Sequence, residues 1–217
     1  LMKNNFLITI VSIFFFSKAF AENLSIEAKN ITLDKKNNTS IFQDKVIITT
    51  ESKNIIKSEY VEYNKKTGFL KLKNNVVAED DNGNIIRTNY AEYFQFEKIF
   101  KTKGPTYIST QENYKIESSD VLFDNKKRLI NSKKNSNIID TDNNKINLEN
   151  FEYLIDDNIF KSIGFIEFED KNDNTYEFSQ IYIDTLKKEI LGTDIKAYLN
   201  QDIFKINKKN KPRIFAN

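Results

Sequence analysis

Residues 59–64 read EYVEYN and residues 89–94 read NYAEYF, so the chain repeats a short aromatic pattern after thirty residues. The same step relates five columns of mostly apolar residues along the chain. The columns are Ile26, Ile56, Ile86, Ile116, Ile146 and Tyr176; Ile31, Val61, Ala91, Val121, Phe151 and Ile181; Leu33, Tyr63, Tyr93, Phe123, Tyr153 and Ile183; Ser40, Leu70, Phe100, Ile130, Phe160 and Ile190; and Ile48, Ala78, Ile108, Ile138, Phe168 and Tyr198. Five columns in register over six units indicate an internal-repeat protein.

Each unit has the pattern of β-structure. Val61 and Tyr63 are separated by one polar residue, and the equivalent pairs of later units repeat this alternation. Turn-forming residues lie within a unit at 66–68 and between units at 81–84, 142–144 and 170–174. One unit is therefore predicted to hold about two strands and two turns. Ile56 is out of parity with Val61, which predicts a bulge or a corner between them.

A two-strand unit cannot bury an apolar face by itself, whereas stacked units bury each other's. We therefore predict an all-β, elongated protein of about 30-residue units, either a β-solenoid or an open, folded-over sheet. Its apolar columns would form continuous stripes inside, with charged residues outside. Its end strands would need to be capped or joined to another protein.

Composition narrows the possible functions. The 217 residues include no Cys and no His, which removes disulfides, thiolate metal sites and the usual side chain for proton transfer near neutral pH. The net charge of +2 comes from interspersed lysines and carboxylates, a pattern that does not favour nucleic-acid binding.

The N-terminus resembles a secretory signal peptide. Lys3 precedes an apolar run over residues 6–16, and Ala19-Phe20-Ala21 matches an A-x-A cleavage site. We predict a signal peptide over residues 1–21 and an exported mature chain. The alternative is a membrane anchor, but the apolar run is shorter than the roughly 20 residues that a spanning helix needs.

Two acidic stretches resemble calcium loops at their start only. Asp140-x-Asp142-x-Asn144 and the same spacing from Asp170 lack the glycine and the closing glutamate of such loops. We interpret both as turns between units. Glutamates such as Glu62 and Glu92 lie along strands and form no convergent pair. We predict no catalytic residues, no metal, no cofactor and no enzymatic activity.

Three stretches carry a family resemblance: IIKSEYVEYNKKTGFLKLKNNVVAED, IIRTNYAEYFQFEKIFKTKGPTYIST and YKIESSDVLFD. Repeats of this form resemble the OstA-like (organic solvent tolerance) family, and the resemblance covers essentially the whole mature chain. It implies a twisted, open β-jellyroll whose apolar lumen carries the acyl chains of lipopolysaccharide.

Within the family, the tail NKKNKPRIFAN is similar to the link that leads from a periplasmic domain into an outer-membrane barrel. We therefore expect an OstA-like repeat domain over residues 22–200, a linker over residues 201–217, and a C-terminal β-barrel that this sequence lacks. The cysteines that join domain and barrel in relatives are absent. The resemblance implies as partners lipopolysaccharide, a periplasmic OstA-like bridge protein paired through edge strands, and an outer-membrane β-barrel with its plug lipoprotein. By analogy, the docking edge is the N-terminal one, near Ile26 and Ile48. It places the chain at the periplasmic face of the outer membrane.

The candidate lipid-binding residues are those predicted to line the lumen. They are Val61, Tyr63, Ala91, Tyr93, Val121, Phe123, Phe151 and Tyr153, with the small residues Thr102 and Gly104 of the second strand. Apolar stripes alone equally indicate a closed core. Small residues between large ones would leave room for an acyl chain, unless they face outwards. The predicted function is lipopolysaccharide transport. The alternatives are a structural β-solenoid that binds no lipid and the separate soluble bridge protein.

Overall fold

The computed structural model describes residues 24–200 and 213–216, which form one antiparallel sheet of nineteen strands. The predicted signal peptide lies outside the described residues, and so does most of the predicted linker. Within that linker, residues 213–216 form a strand of the sheet. In the described part of the chain no helix is long and apolar enough to cross a membrane.

The strands follow one another along the chain as an antiparallel meander. Their bounds are β1 Ser25–Glu27, β2 Asn30–Asp34, β3 Thr39–Thr49, β4 Ile55–Asn64, β5 Phe69–Glu79, β6 Ile85–Phe94, β7 Ile99–Thr102, β8 Pro105–Ser109, β9 Lys115–Ser119, β10 Leu122–Asp124, β11 Leu129–Ser132, β12 Ser136–Ile139, β13 Lys145–Leu148, β14 Phe151–Leu154, β15 Ile159–Glu169, β16 Thr175–Asp184, β17 Glu189–Thr193, β18 Ile195–Tyr198 and β19 Arg213–Ala216.

A line of irregular pairing, here called the bend, crosses the sheet and divides it into two layers. Layer A comprises β2, β7, β10, β11, β14 and β17, with the halves of the long strands that pair with them. Layer B comprises β1, β8, β9, β12, β13, β18 and β19, with the remaining halves of the long strands. The fold is therefore one sheet folded over on itself. This agrees with the all-β prediction and selects the folded-over sheet.

The bend is built from bulges. In the β4–β5 pair the register shifts between Lys57 and Tyr60, and the β3–β4, β5–β6 and β15–β16 pairs shift at equivalent positions. Bulges alter which face a following residue occupies and increase the local twist. The predicted change of parity between Ile56 and Val61 is therefore confirmed, and its cause is a bulge.

Left-handed backbone conformations repeat with the thirty-residue period and close the turns. They lie at the end of each layer A turn, at Asn38, Gly68, Lys98, Arg128, Asn158 and Lys188. They lie also in each layer B turn, at Lys53, Gly83, Asn113, Asn143 and Asp173. Because Asn, Asp and Gly tolerate this conformation best, most of these positions carry them.

The layer B turns share one hydrogen-bonding pattern. A side-chain oxygen of the first turn residue accepts the backbone N–H of the residue four positions later, as between Thr50 and Asn54. Asp140 accepts the backbone N–H groups of Asp142 at 2.8 Å and Asn144 at 2.9 Å, and Asp170 repeats the arrangement. The interpretation of these acidic stretches as turns is confirmed.

The five predicted columns meet in one core between the layers. The Ile56 and Ile48 columns line layer B, and the other three line layer A, with most members under one tenth exposed. Ile31 and Leu33 are the clear exceptions, since their side chains are 55% and 65% exposed. Position thus overrides pattern in the first unit, where β2 is an edge strand of layer A.

Candidate functional site

The interior between the layers holds most of the residues predicted to bind lipid. Buried among them are Val61, Ala91, Tyr93, Val121, Phe123, Phe151, Tyr153 and Thr102. Tyr63 is half-buried and its hydroxyl donates to Gln95 Oε1 at 2.9 Å. Gly104 is half-exposed at the bend, and a Cβ added there would have no neighbour within 4 Å.

Thr102 serves the bend. Its hydroxyl accepts the backbone N–H of Val121 at 2.8 Å and the hydroxyl of Thr106 at 2.7 Å. Ser132 and Ser162 donate in the same way to backbone carbonyls across the bend, each at 2.7 Å. These small side chains therefore satisfy backbone groups that the bulges leave without strand partners. The space that small residues were expected to leave is used by this hydrogen bonding.

Aromatic rings fill the interior of the C-terminal half. The Tyr153 ring stacks on Phe160 with centroids 4.3 Å apart, and Phe151 lies 6.3 Å from the same ring. Tyr114 of layer B reaches across the interior to Phe160, at 5.8 Å. Such tilted and stacked contacts are typical of a packed core. In this half the two layers touch.

A small cavity lies between the layers in the N-terminal half. Its volume is about 20 Å³, enough for about one water molecule and too little for an acyl chain. Its apolar lining comes from both layers: Ile56, Ala78, Ile86, Tyr93, Phe100, Phe123 and Ile130. An acyl chain would therefore have to separate the layers, and this cavity marks where the packing is least complete.

The edge opposite the bend, here called the seam, is where the turns of the two layers meet. Arg128 Nη1 of layer A lies 3.0 Å from Asp81 of layer B, and its Nε lies 3.2 Å from Asp156. Further contacts across the seam are Asn125 Nδ2 to Ser52 Oγ at 3.1 Å, Tyr153 hydroxyl to Glu112 Oε2 at 2.9 Å, and Lys188 Nζ to Asp142 Oδ2 at 3.5 Å. Side chains, not paired strands, close the interior along this edge.

The two sides of the seam carry opposite charge. The cations of the layer A turns are Lys35, Lys36, Lys65, Lys66, Lys98, Lys126, Lys127, Arg128, Lys187 and Lys188. The acids of the layer B turns are Glu51, Asp80, Asp81, Glu112, Asp140, Asp142, Asp170 and Asp173, against two lysines. Complementary potentials favour one register of the layers over others.

Two tyrosines at the seam have altered acidity. Burial raises the pKa of Tyr114 to about 12. Burial, and then the hydrogen bond to Glu112, raises the pKa of Tyr153 well above its ordinary value. Both rings are therefore neutral in the folded protein at a pH where the unfolded chain ionises them.

This difference predicts alkaline destabilisation. Because the folded pKa values exceed the unfolded value of about 10, the stabilisation is complete below pH 10 and is lost as pH rises towards the folded values. The free energy of unfolding, measured by urea titration at a series of pH values, should fall above about pH 10. Tyr153→Phe should flatten that fall, while Tyr107→Phe on the exposed outer face should not. Equal slopes in the two variants would contradict the assignment.

Carboxylates outside the seam make ordinary surface contacts. On the outer face of layer A, Glu62 lies 3.2 Å from Lys71 Nζ and Glu92 lies 2.6 Å from Lys103 Nζ. Within the described ranges, no group of three or more acidic residues is arranged to hold a metal ion.

Sequence reasoning missed the seam. Ser52, Asp81, Glu112, Asn125 and Arg128 were not singled out, because no repeat column contains them as a set. One signal was present. Turns fifteen residues apart alternate between basic, as at residues 65–66, and acidic, as at residues 80–81. That alternation would have indicated two sets of turns of opposite charge.

Comparisons with known proteins give limited results. No family model matches the chain, and no curated protein matches it. Among solved structures, LptH of Pseudomonas aeruginosa, described as the LptA-homologous periplasmic component of the lipopolysaccharide transport device, is 11% identical with a TM-score of 0.23. That match covers 90% of this chain and 95% of LptH. The TCP10 domain of Danio rerio CPAP, solved with a STIL peptide, is 7% identical with a TM-score of 0.26, over 89% of this chain and 99% of that one. At TM-scores this low, neither likeness bears on function.

Proposed function

We propose that this chain is a non-enzymatic lipid carrier that takes the acyl chains of lipopolysaccharide between its two layers. One observation carries the proposal. Continuous apolar stripes line both layers, and the described contacts that close them at the seam join side chains. The layers are continuous only through the bend, so parting them at the seam leaves the strand pairing of each layer intact.

The energies fit such an opening. Exposed ion pairs contribute about 0–1 kcal/mol each, so the seam contacts resist separation weakly. Burial of an acyl chain contributes about 0.8 kcal/mol per CH₂. An acyl chain between the layers would also keep the stripes out of water. A chain of ordinary length thus supplies enough favourable free energy to replace the contacts between the layers.

The sequence resemblance gives the proposal its finer form. We propose an exported protein at the periplasmic face of the outer membrane, equivalent to the N-terminal OstA-like domain of the lipopolysaccharide-assembly protein LptD. Its partners would be a periplasmic bridge protein, an outer-membrane β-barrel and the plug lipoprotein of that barrel. The strands available for edge pairing at the N-terminal end are β1 of layer B and β2 of layer A, each of which pairs with β3. The separate soluble bridge protein is the alternative within the same function.

A second candidate function is a structural module that binds no lipid. The specific observation in its favour is the packing of the interior, where the only space lined by Tyr93 and Phe123 measures about 20 Å³ among the described residues. If the layers never part, the stripes are simply a core.

Tryptophan fluorescence separates the two candidates, because the chain contains no Trp. A single Phe123→Trp places the reporter in the interior, and Phe96→Trp places it in an exposed turn. Lipopolysaccharide with brominated acyl chains should quench the first and leave the second nearly unchanged. Quenching of neither, by a folded chain, would favour the structural module.

A further inference from the structure

Layer A extends beyond layer B at the N-terminal end. The seam contacts pair the layer A turn at 124–128 with the layer B turns at 50–54 and 80–84. The described seam contacts leave the first two layer A turns, 34–38 and 64–68, without a layer B partner. Exposure shows the result: Leu33 is 65% exposed, while Tyr93 in the same column is 4% exposed.

Lysines border this uncovered part of layer A. A cavity of about 330 Å³ opens there, and its lining includes Leu33, Lys35, Lys65 and Lys66. We call these four residues, with Ile31, the lysine shelf. An apolar floor beside several ammonium groups presents two kinds of contact within one small region.

The shelf lysines differ from the cations of the seam. Arg128 and Lys188 each reach a carboxylate of layer B, at 3.0 Å and 3.5 Å. Within the described ranges, Lys35, Lys65 and Lys66 have no carboxylate within 4 Å. The carboxylate nearest in sequence, Asp34, accepts the backbone N–H groups of Lys36 and Asn37 and the Asn37 amide, so it is committed to its turn.

We propose that the lysine shelf binds the phosphate groups of an amphiphile whose acyl chains continue into the interior. This inference rests on the proposed function for the tail of the ligand, but the charge preference is a separate property. Ammonium groups attract phosphate through charge and hydrogen bonds. Ile31 and Leu33 extend the interior columns to the shelf, so one molecule can contact both regions.

An anionic lipid fits the shelf better than a protein segment does. A partner strand paired with β2 would satisfy backbone groups and has no need of the lysines. A lipid headgroup uses the uncompensated positive charge and the apolar floor together. The charge complementarity therefore selects the lipid, and a protein occupant becomes an outcome of the test.

The test compares the full chain with two charge-reversal variants. Lys35→Glu/Lys66→Glu alters the shelf, and Lys53→Glu/Lys171→Glu makes the same change in charge in exposed layer B turns. The probes are lipid A with both phosphates, lipid A with its phosphates removed, and inorganic phosphate. Affinity is measured at low and at high salt, with circular dichroism as the check on folding.

We expect the wild-type chain to prefer phosphorylated lipid A, and the shelf variant to lose on the order of tenfold in affinity for that probe alone. The preference should fall at high salt, because exposed charges are screened. The control variant should keep it. Inorganic phosphate should compete only weakly, because it lacks the acyl chains.

Other outcomes overturn the inference in distinguishable ways. Equal binding of both lipids by the wild-type chain, or equal losses in both variants, would remove the shelf and leave the proposed function standing. Strong competition by inorganic phosphate would assign the site to free phosphate. Failure to bind either lipid would remove the proposed function as well. Loss of binding to the bridge protein in the shelf variant, with lipid binding unchanged, would assign the shelf to a protein.

Discussion

Joining the two layers across the seam should abolish lipid binding. The variant Ser52→Cys/Asn125→Cys places two thiols where the native side chains are 3.1 Å apart, in a chain that contains no cysteine. A short bifunctional thiol reagent would then hold the seam closed. Because the interior has no room for an acyl chain unless the layers part, bound lipopolysaccharide should fall to the background level.

The control for this experiment joins two strands of the same layer. Asn137 and Asn147 are neighbours on the outer face of layer B, with Nδ2 and Oδ1 2.8 Å apart. Asn137→Cys/Asn147→Cys, treated with the same reagent, should bind lipid like the untreated chain. Full binding by the protein joined across the seam would show that lipid does not pass between the layers.

Removal of the Phe160 ring should produce the largest loss of stability. Phe160 is almost fully buried against Phe151, Tyr153 and Tyr114. Truncation of such a side chain leaves a cavity, and Phe160→Ala should lower the free energy of unfolding by about 3–5 kcal/mol. Urea denaturation followed by circular dichroism measures it.

Phe165→Ala is the matched control, because Phe165 lies five residues away and is 54% exposed. It should change the free energy of unfolding by no more than about 0.5 kcal/mol. A loss below about 1 kcal/mol for Phe160→Ala would indicate that this part of the interior is loosely filled. In that case the C-terminal half, and not the cavity near Phe123, would be the better candidate for a lipid path.

Much of the fold could be predicted from the repeat. Alternation around Val61 and Tyr63 identified strands, and the turn-forming residues identified where they reverse. The parity change after Ile56 identified a bulge before its geometry was known. These predictions succeeded because each depends on neighbours along the chain and recurs in almost every unit, so that a local exception does not obscure the pattern.

The relation between the layers could not be predicted in the same way. Whether Leu33 is covered depends on how far layer B extends, and no periodicity encodes that offset. Thr102 was expected to leave space, but its hydroxyl bonds the backbone at the bend. The partners of Arg128 come from turns 47 and 28 residues away, so their approach follows from the folding-over of the sheet.

Photocrosslinking in cells tests the central claim most directly. A photoreactive residue at Phe123 would face the cavity between the layers, and one at Lys126 would lie in the adjoining exposed turn as the control. The account predicts a lipopolysaccharide adduct at Phe123 and none at Lys126. A folded chain, joined to its natural continuation, that gives no adduct at Phe123 would contradict it and leave the stripes as ordinary core.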